Sequence, residues 1–128
     1  MNTDNPLVLK EKLESGLLRL TLNNLQNKNA LSEDMISALI DSINSATNDD
    51  SIKVIIISSN GNVFCAGHDL KEITEAREVE DSGSSYYKEL FDSCSSLMQL
   101  IVNSPKPIIA EVNGVATAAG CQLVASCD

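Results

Sequence analysis

Two glycine-containing stretches, each lying between an apolar run and a helical pattern, hold the residues best suited to chemistry. One is Phe64, Cys65, Ala66, Gly67, His68, Asp69 and Leu70; the other is residues 114–120. At strand-to-helix junctions of an α/β protein the first N–H groups of the helix have no partner in the chain, and they point beyond the strand ends where ligands bind. Two such junctions side by side would aim two donors at one oxygen, which is what stabilising an oxyanion formed from a carbonyl requires. Glycine at a junction is also ordinary turn chemistry, so the pattern alone leaves both readings open. His68 beside Asp69 invites a hydrolytic triad, but neighbours in sequence cannot place an imidazole and its carboxylate in line. Metal binding finds no support: there is one histidine, and Cys65, Cys94, Cys121 and Cys127 form no CxxC pair. These cysteines read as reduced thiols, three of them packed as small apolar groups. A nucleotide-binding α/β domain is the weakest alternative, since GxGxxG and a phosphate-loop lysine are both missing.

Both junctions need elements to carry them, and the hydrophobic pattern supplies these. Residues 7–13 and 17–22 alternate apolar and polar around Glu14, Ser15 and Gly16, the pattern of an antiparallel hairpin. A polar loop over residues 23–29 leads to Leu31, Met35, Ile36, Leu39, Ile40 and Ile43 at helical spacing, with Ser32 as N-cap and the helix ending near Asn48. Glu33 and Asp34 fall in its first turn, where the helix dipole favours negative charge. Residues 54–58 are a continuous β-branched run, predicting a strand buried on both faces. A short helix is expected from Leu70 to about Arg77, then a polar, small and mobile stretch over residues 79–85. Tyr87, Leu90, Phe91, Cys94, Leu97, Met98, Ile101 and Val102 mark one face of a second long helix, stopped by Pro105 and Pro107. Residues 108–112 read as another buried strand, Asn113 and Gly114 as a turn, and residues 118–127 as a small-residue helix. Strands alternating with crossover helices make the fold class α/β, with a parallel sheet. The chain stops after this helix, so a single cut domain over residues 1–128 is expected, its last strand edge uncovered.

Composition bounds the function. With 128 residues, 43% of them hydrophobic, the chain can bury one modest core. Eighteen acidic against nine basic residues give a net charge of −9, which repels the phosphate backbone of nucleic acid. No apolar run approaches the roughly 20 residues needed to span a bilayer. The first ten residues have neither the pattern of an export signal nor that of a transit peptide, so a soluble, cytoplasmic protein is expected, without nucleic-acid or membrane partners.

Four stretches in order, Asn29-Ala30-Leu31, residues 63–72 (VFCAGHDLKE), residues 106–114 (KPIIAEVNG) and residues 118–128 (AAGCQLVASCD), resemble the motifs of the enoyl-CoA hydratase/isomerase (crotonase) superfamily. The resemblance implies a ClpP/crotonase ββα spiral of which this chain holds the N-terminal part, lacking the C-terminal helices that assemble family trimers. It implies an acyl-CoA ligand, no cofactor apart from coenzyme A within that ligand, and a homo-oligomer. The oxyanion hole falls on the backbone N–H groups of His68 and Ala119. Around it, Gly67, Asp69, Leu70, Ala118 and Gly120 belong to the substrate-binding motifs, as does Ala30. Ala66 matches the position whose carbonyl meets the adenine ring, and Lys28 and Lys71 are candidates for the CoA phosphates. Where the family usually has three glycines this chain has Ala118, Ala119 and Gly120, so two methyl groups narrow the space beside the thioester. Gln122 stands where hydratases have a glutamate, and an amide can hold a water but cannot take its proton. The second family glutamate falls beyond Asp128. Two outcomes therefore stay open: an acyl-CoA enzyme of this family, or a CoA-binding protein without turnover.

Overall fold

The computed structural model describes residues 5–78 and 81–128. The chain opens with strand β1 (Val8–Lys12) and strand β2 (Leu17–Leu22), paired antiparallel as the alternation predicts. A single 3-10 turn at Glu14–Gly16 joins them, with Ser15 and Gly16 both at positive φ. After a second 3-10 turn at Leu25–Asn27 comes helix α1 (Glu33–Thr47), whose N-cap Ser32 accepts from the Met35 N–H at 3.1 Å. Strands β3 (Val54–Ser59) and β4 (Val63–Cys65) lead to α2 (Leu70–Ala76) and α3 (Ser84–Val102). Strands β5 (Ile108–Ala110) and β6 (Val115–Ala116) then lead to α4 (Ala119–Ser126).

Two sheets result. The larger has the order β1-β2-β3-β5, with β2, β3 and β5 parallel, and the smaller pairs β4 with β6 in parallel. Chain order and sheet order together give a repeating unit: a strand in the large sheet, a short strand in the small one, then helix. The sequence reading missed the small sheet. Two or three residues beside a glycine turn carry no legible alternation, so β4 and β6 read only as parts of the turns.

Register explains the core. Leu18 lies opposite Ile55, Leu20 opposite Ile57, and Ile55 opposite Ile108, all on one sheet face. These residues share one core with Met35, Leu39 and Ile43 of α1 and Leu97, Met98 and Ile101 of α3. The expectation that β3 is buried on both faces needs correction. Its other face carries Ile56 beside Arg19 and the exposed Ile109, with an Arg19–Glu111 ion pair at 3.6 Å. A β-branched run reports strand propensity as well as burial, and here propensity accounts for half of it. The face expected of α3 is likewise narrower than predicted: Leu90, Cys94, Leu97, Met98 and Ile101 are buried, whereas Phe91 and Val102 are exposed. Residues 79 and 80 of the stretch read as mobile lie outside the described residues, and Ser84 and Ser85 already belong to α3.

At the far edge of the large sheet, Asp128 donates its N–H to the Ile108 carbonyl at 2.8 Å. Its carboxylate accepts the Ile108 N–H at 2.9 Å. The chain leaving α4 thus lies against the first residue of β5, so the strand edge expected to be uncovered is covered at Ile108.

Candidate functional site

The two glycine junctions meet. Thr117 donates to the Cys65 carbonyl at 3.1 Å, extending the small sheet into both turns. Gly67 has φ +92°, and a Cβ there would stand 2.9 Å from the Ala118 Cβ and 3.2 Å from the Ala119 nitrogen. Gly120 is equally confined, because a Cβ on it would run into the Cys65 carbonyl. Each glycine lets one turn lie directly on the other, which no larger residue permits. The N–H of His68 therefore begins one residue beyond the Gly67 contact and that of Ala119 beside it. Neither N–H donates to an acceptor among the described residues. Ala119 is the first residue of α4, so the helix dipole adds to its N–H.

A third segment braces the pair. The Leu31 N–H donates to the Gly67 carbonyl at 2.6 Å and the Ala66 N–H to the Lys28 carbonyl at 3.2 Å, laying residues 28–31 beside residues 66–68. Asn29 organises this segment. It is buried, with φ 55°, and its side-chain nitrogen donates to the Asn60 and Val63 carbonyls at 3.0 Å each while its oxygen accepts the Asn24 N–H at 2.7 Å. The sequence marked Asn29 only as the first member of a motif. Nothing in its neighbours announced a three-bond hub.

The remaining candidates take varied positions. Asp69 caps α2, accepting the Lys71 and Glu72 N–H groups at 2.9 and 3.2 Å, and its second oxygen accepts from Asn27 at 3.2 Å. It is thus committed to the fold. The His68 ring turns instead towards α3 and packs edge-on against Phe91, centroids 5.4 Å apart, with Nδ1 buried and without a hydrogen-bond partner among the described residues. The two side chains of the rejected triad are thus engaged separately. Ala30 is buried, Leu70 and Lys71 are exposed on α2, and Lys28 is exposed at the wall of a cleft of about 180 Å³ shared with Asn29, Asn60 and Val63. The Ala66 carbonyl takes no donor among the described residues. Gln122 is exposed one turn into α4, four residues from Ala118 and three from Ala119, so it lies on their side of the helix. Cys65 is buried, which raises its thiol pKa and keeps it protonated, and Cys94 follows the same rule. Cys127, half-buried, is pushed up to about 11, chiefly by burial, whereas Cys121 is exposed. The described residues include no group of three or more His, Cys, Asp or Glu arranged to hold a metal, and no helix long and apolar enough to cross a membrane.

Comparison with known proteins gives this geometry its relatives. The profile of the enoyl-CoA hydratase/isomerase family matches residues 12–128. The mitochondrial enoyl-CoA hydratase domain-containing protein 3 of Xenopus laevis is 50% identical over 123 residues, 96% of this chain and 40% of that protein. The crystal structure of its human counterpart superposes with a TM-score of 0.85 at 45% identity, covering 95% of this chain and 46% of that one. The 2,3-dehydroadipyl-CoA hydratase of Escherichia coli is 37% identical over 90% of this chain and 42% of its own length. The chain thus spans about two fifths of the length of these two curated relatives. These findings correct one expectation: the domain-containing protein 3 relatives are named mitochondrial, which points to mitochondria rather than the cytoplasm. A leader pattern can be read only where one is present, so its absence from ten residues was poor ground for a location. With a family profile over nearly its whole length and the ββα arrangement of its solved relatives, the chain belongs to the enoyl-CoA hydratase/isomerase family and has the crotonase fold.

Proposed function

We propose that this chain binds an acyl-CoA thioester, with the thioester carbonyl oxygen held between the backbone N–H groups of His68 and Ala119. The observation that carries the reading is the interlocked pair of turns, which leaves these two N–H groups without an acceptor among the described residues, beside the Gly67 contact. Two fixed donors on that oxygen favour the enolate over the neutral thioester, which acidifies the α-carbon. The Ala66 carbonyl, which takes no donor among the described residues, and the exposed Lys28 and Lys71 suit the adenine and phosphates of coenzyme A. In this reading Asp69, Leu70, Ala118 and Gly120 border the thioester, and coenzyme A enters as part of the ligand rather than as a cofactor.

A second reading has its own observation. Gln122 occupies the helical face next to Ala119, and a carboxamide accepts no proton from a water placed there. The chain then binds acyl-CoA without hydrating it. Self-association belongs to the same proposal: Ile109, Val112 and Val115 are 46%, 45% and 60% exposed along one stretch, and such a surface favours a second copy.

Calorimetric titration of the 128-residue chain with crotonyl-CoA and with free CoA tests the binding reading. The thioester should bind at least several-fold more tightly, because CoA alone has no thioester carbonyl for the two donors. Equal affinity for both ligands contradicts it. Hydration of crotonyl-CoA followed alongside separates the two readings, and ordinary hydratase turnover by the Gln122 chain would refute the second.

A further inference from the structure

The turn that launches α4 contains a residue in the wrong conformation for its type. The Gly120 N–H donates to the Thr117 carbonyl at 2.8 Å, closing a β-turn over residues 117–120, and Ala118 at its first central place has φ 52° and ψ −125°. These are the angles of a type II′ turn, where glycine is the natural occupant because a Cβ crowds the following carbonyl. Lys28 and Asn29 also have positive φ, at 58° and 55°, but Asn29 belongs to a type that tolerates it and Lys28 closes a 3-10 turn at the ordinary left-handed angles. Ala118 has neither excuse.

What the surroundings gain from it is direction. Thr117 is still tied to the small sheet through the Cys65 carbonyl, yet Ala119 already begins a helix, so the whole change of course falls on Ala118. The turn stands directly on its counterpart there, since a Cβ on Gly67 would come within 2.9 Å of the Ala118 Cβ. At an ordinary negative φ the chain cannot both leave Thr117 on the strand and start α4 against Gly67, and the Ala119 N–H moves away from that of His68.

We propose that Ala118 is a positioning residue of the thioester site, holding the Ala119 N–H beside His68 in a conformation that alanine resists. This rests on the oxyanion reading of the two N–H groups. Since a conformer that is only partly populated lowers apparent affinity in proportion, relieving the resistance should strengthen binding of any ligand that uses the Ala119 donor and of no other.

The test is Ala118→Gly in the 128-residue chain, titrated with crotonyl-CoA and with free CoA and melted in parallel. The proposal expects about a 3- to 10-fold gain in affinity for crotonyl-CoA, an unchanged affinity for CoA, and a Tm raised by about 2–6 °C. A merely structural strain raises Tm but leaves the preference for crotonyl-CoA over CoA where it was, and that result overturns the proposal. So does weaker binding of crotonyl-CoA by the glycine variant. If neither form prefers crotonyl-CoA to CoA, the oxyanion reading fails and takes this one with it, an outcome distinct from a preference that exists and does not respond to residue 118.

Discussion

Gly120 and Asn29 show how single residues fix the site. A methyl on Gly120 meets the Cys65 carbonyl, part of the backbone that carries Thr117, so neither partner can move without opening the small sheet. Gly120→Ala should cost about 2–3 kcal/mol, the scale of overpacking a tight contact. Urea unfolding measures it, and a stability within 0.5 kcal/mol of the parent would show that the contact yields more easily than its geometry implies. Asn29→Ala removes three partly buried hydrogen bonds and orphans two carbonyls and an N–H, while introducing a residue type less suited to φ 55°. At roughly 1 kcal/mol per bond the loss should reach about 3 kcal/mol. At this scale the sequence was informative where chemistry requires a residue type: Gly67 and Gly120 are glycines because backbone must touch backbone. It was silent on the bonds of Asn29 and on the Phe91 contact of His68, since both depend on segments brought together across 31 residues or 23, distances no local pattern spans.

Among the elements, α1 and α2 meet through charge. The Glu33 carboxyl at the start of α1 is held above its ordinary value, first by desolvation and then by Glu72, Glu89 and Asp34. The helix dipole favours a negative charge at that place, so the upward direction means that burial and repulsion win. A raised acid is better protonated in the fold, so its charge destabilises the fold above that pKa, and the penalty is absent below the unfolded value near 4.5. Glu33→Gln should therefore raise Tm at neutral pH, with the gain closing as pH falls below that value. A lower Tm for the glutamine form at pH 7 would mean that the dipole term dominates. For α2 the cap decides: Asp69→Ala leaves the Lys71 and Glu72 N–H groups unsatisfied, costing about 1 kcal/mol. Faster amide exchange confined to α2 is the expected sign, and uniform exchange across the chain contradicts it. Helices α1, α3 and α4 and strands β1, β2, β3 and β5 were legible within a few residues because each runs long enough, or apolar enough, to show its period. Strands β4 and β6 were not, and they are the pair that brings the two turns together.

At the scale of the whole molecule, a net charge of −9 opposes association while the exposed Ile109, Val112 and Val115 favour it. Screening weakens the first term and leaves the second, so sedimentation should show a larger average mass at higher salt. Ile109→Lys should abolish that increase, and a monomer at every salt concentration would show that the exposed face is tolerated. The two interlocked turns themselves should polarise a thioester carbonyl. Difference infrared spectroscopy of crotonyl-CoA labelled with carbon-13 at the thioester carbonyl, with and without the chain, reads that carbonyl alone. Two hydrogen bonds from His68 and Ala119 should move its stretch to lower frequency on binding, and a bound thioester whose carbonyl stretch stays where it is in water would contradict the account.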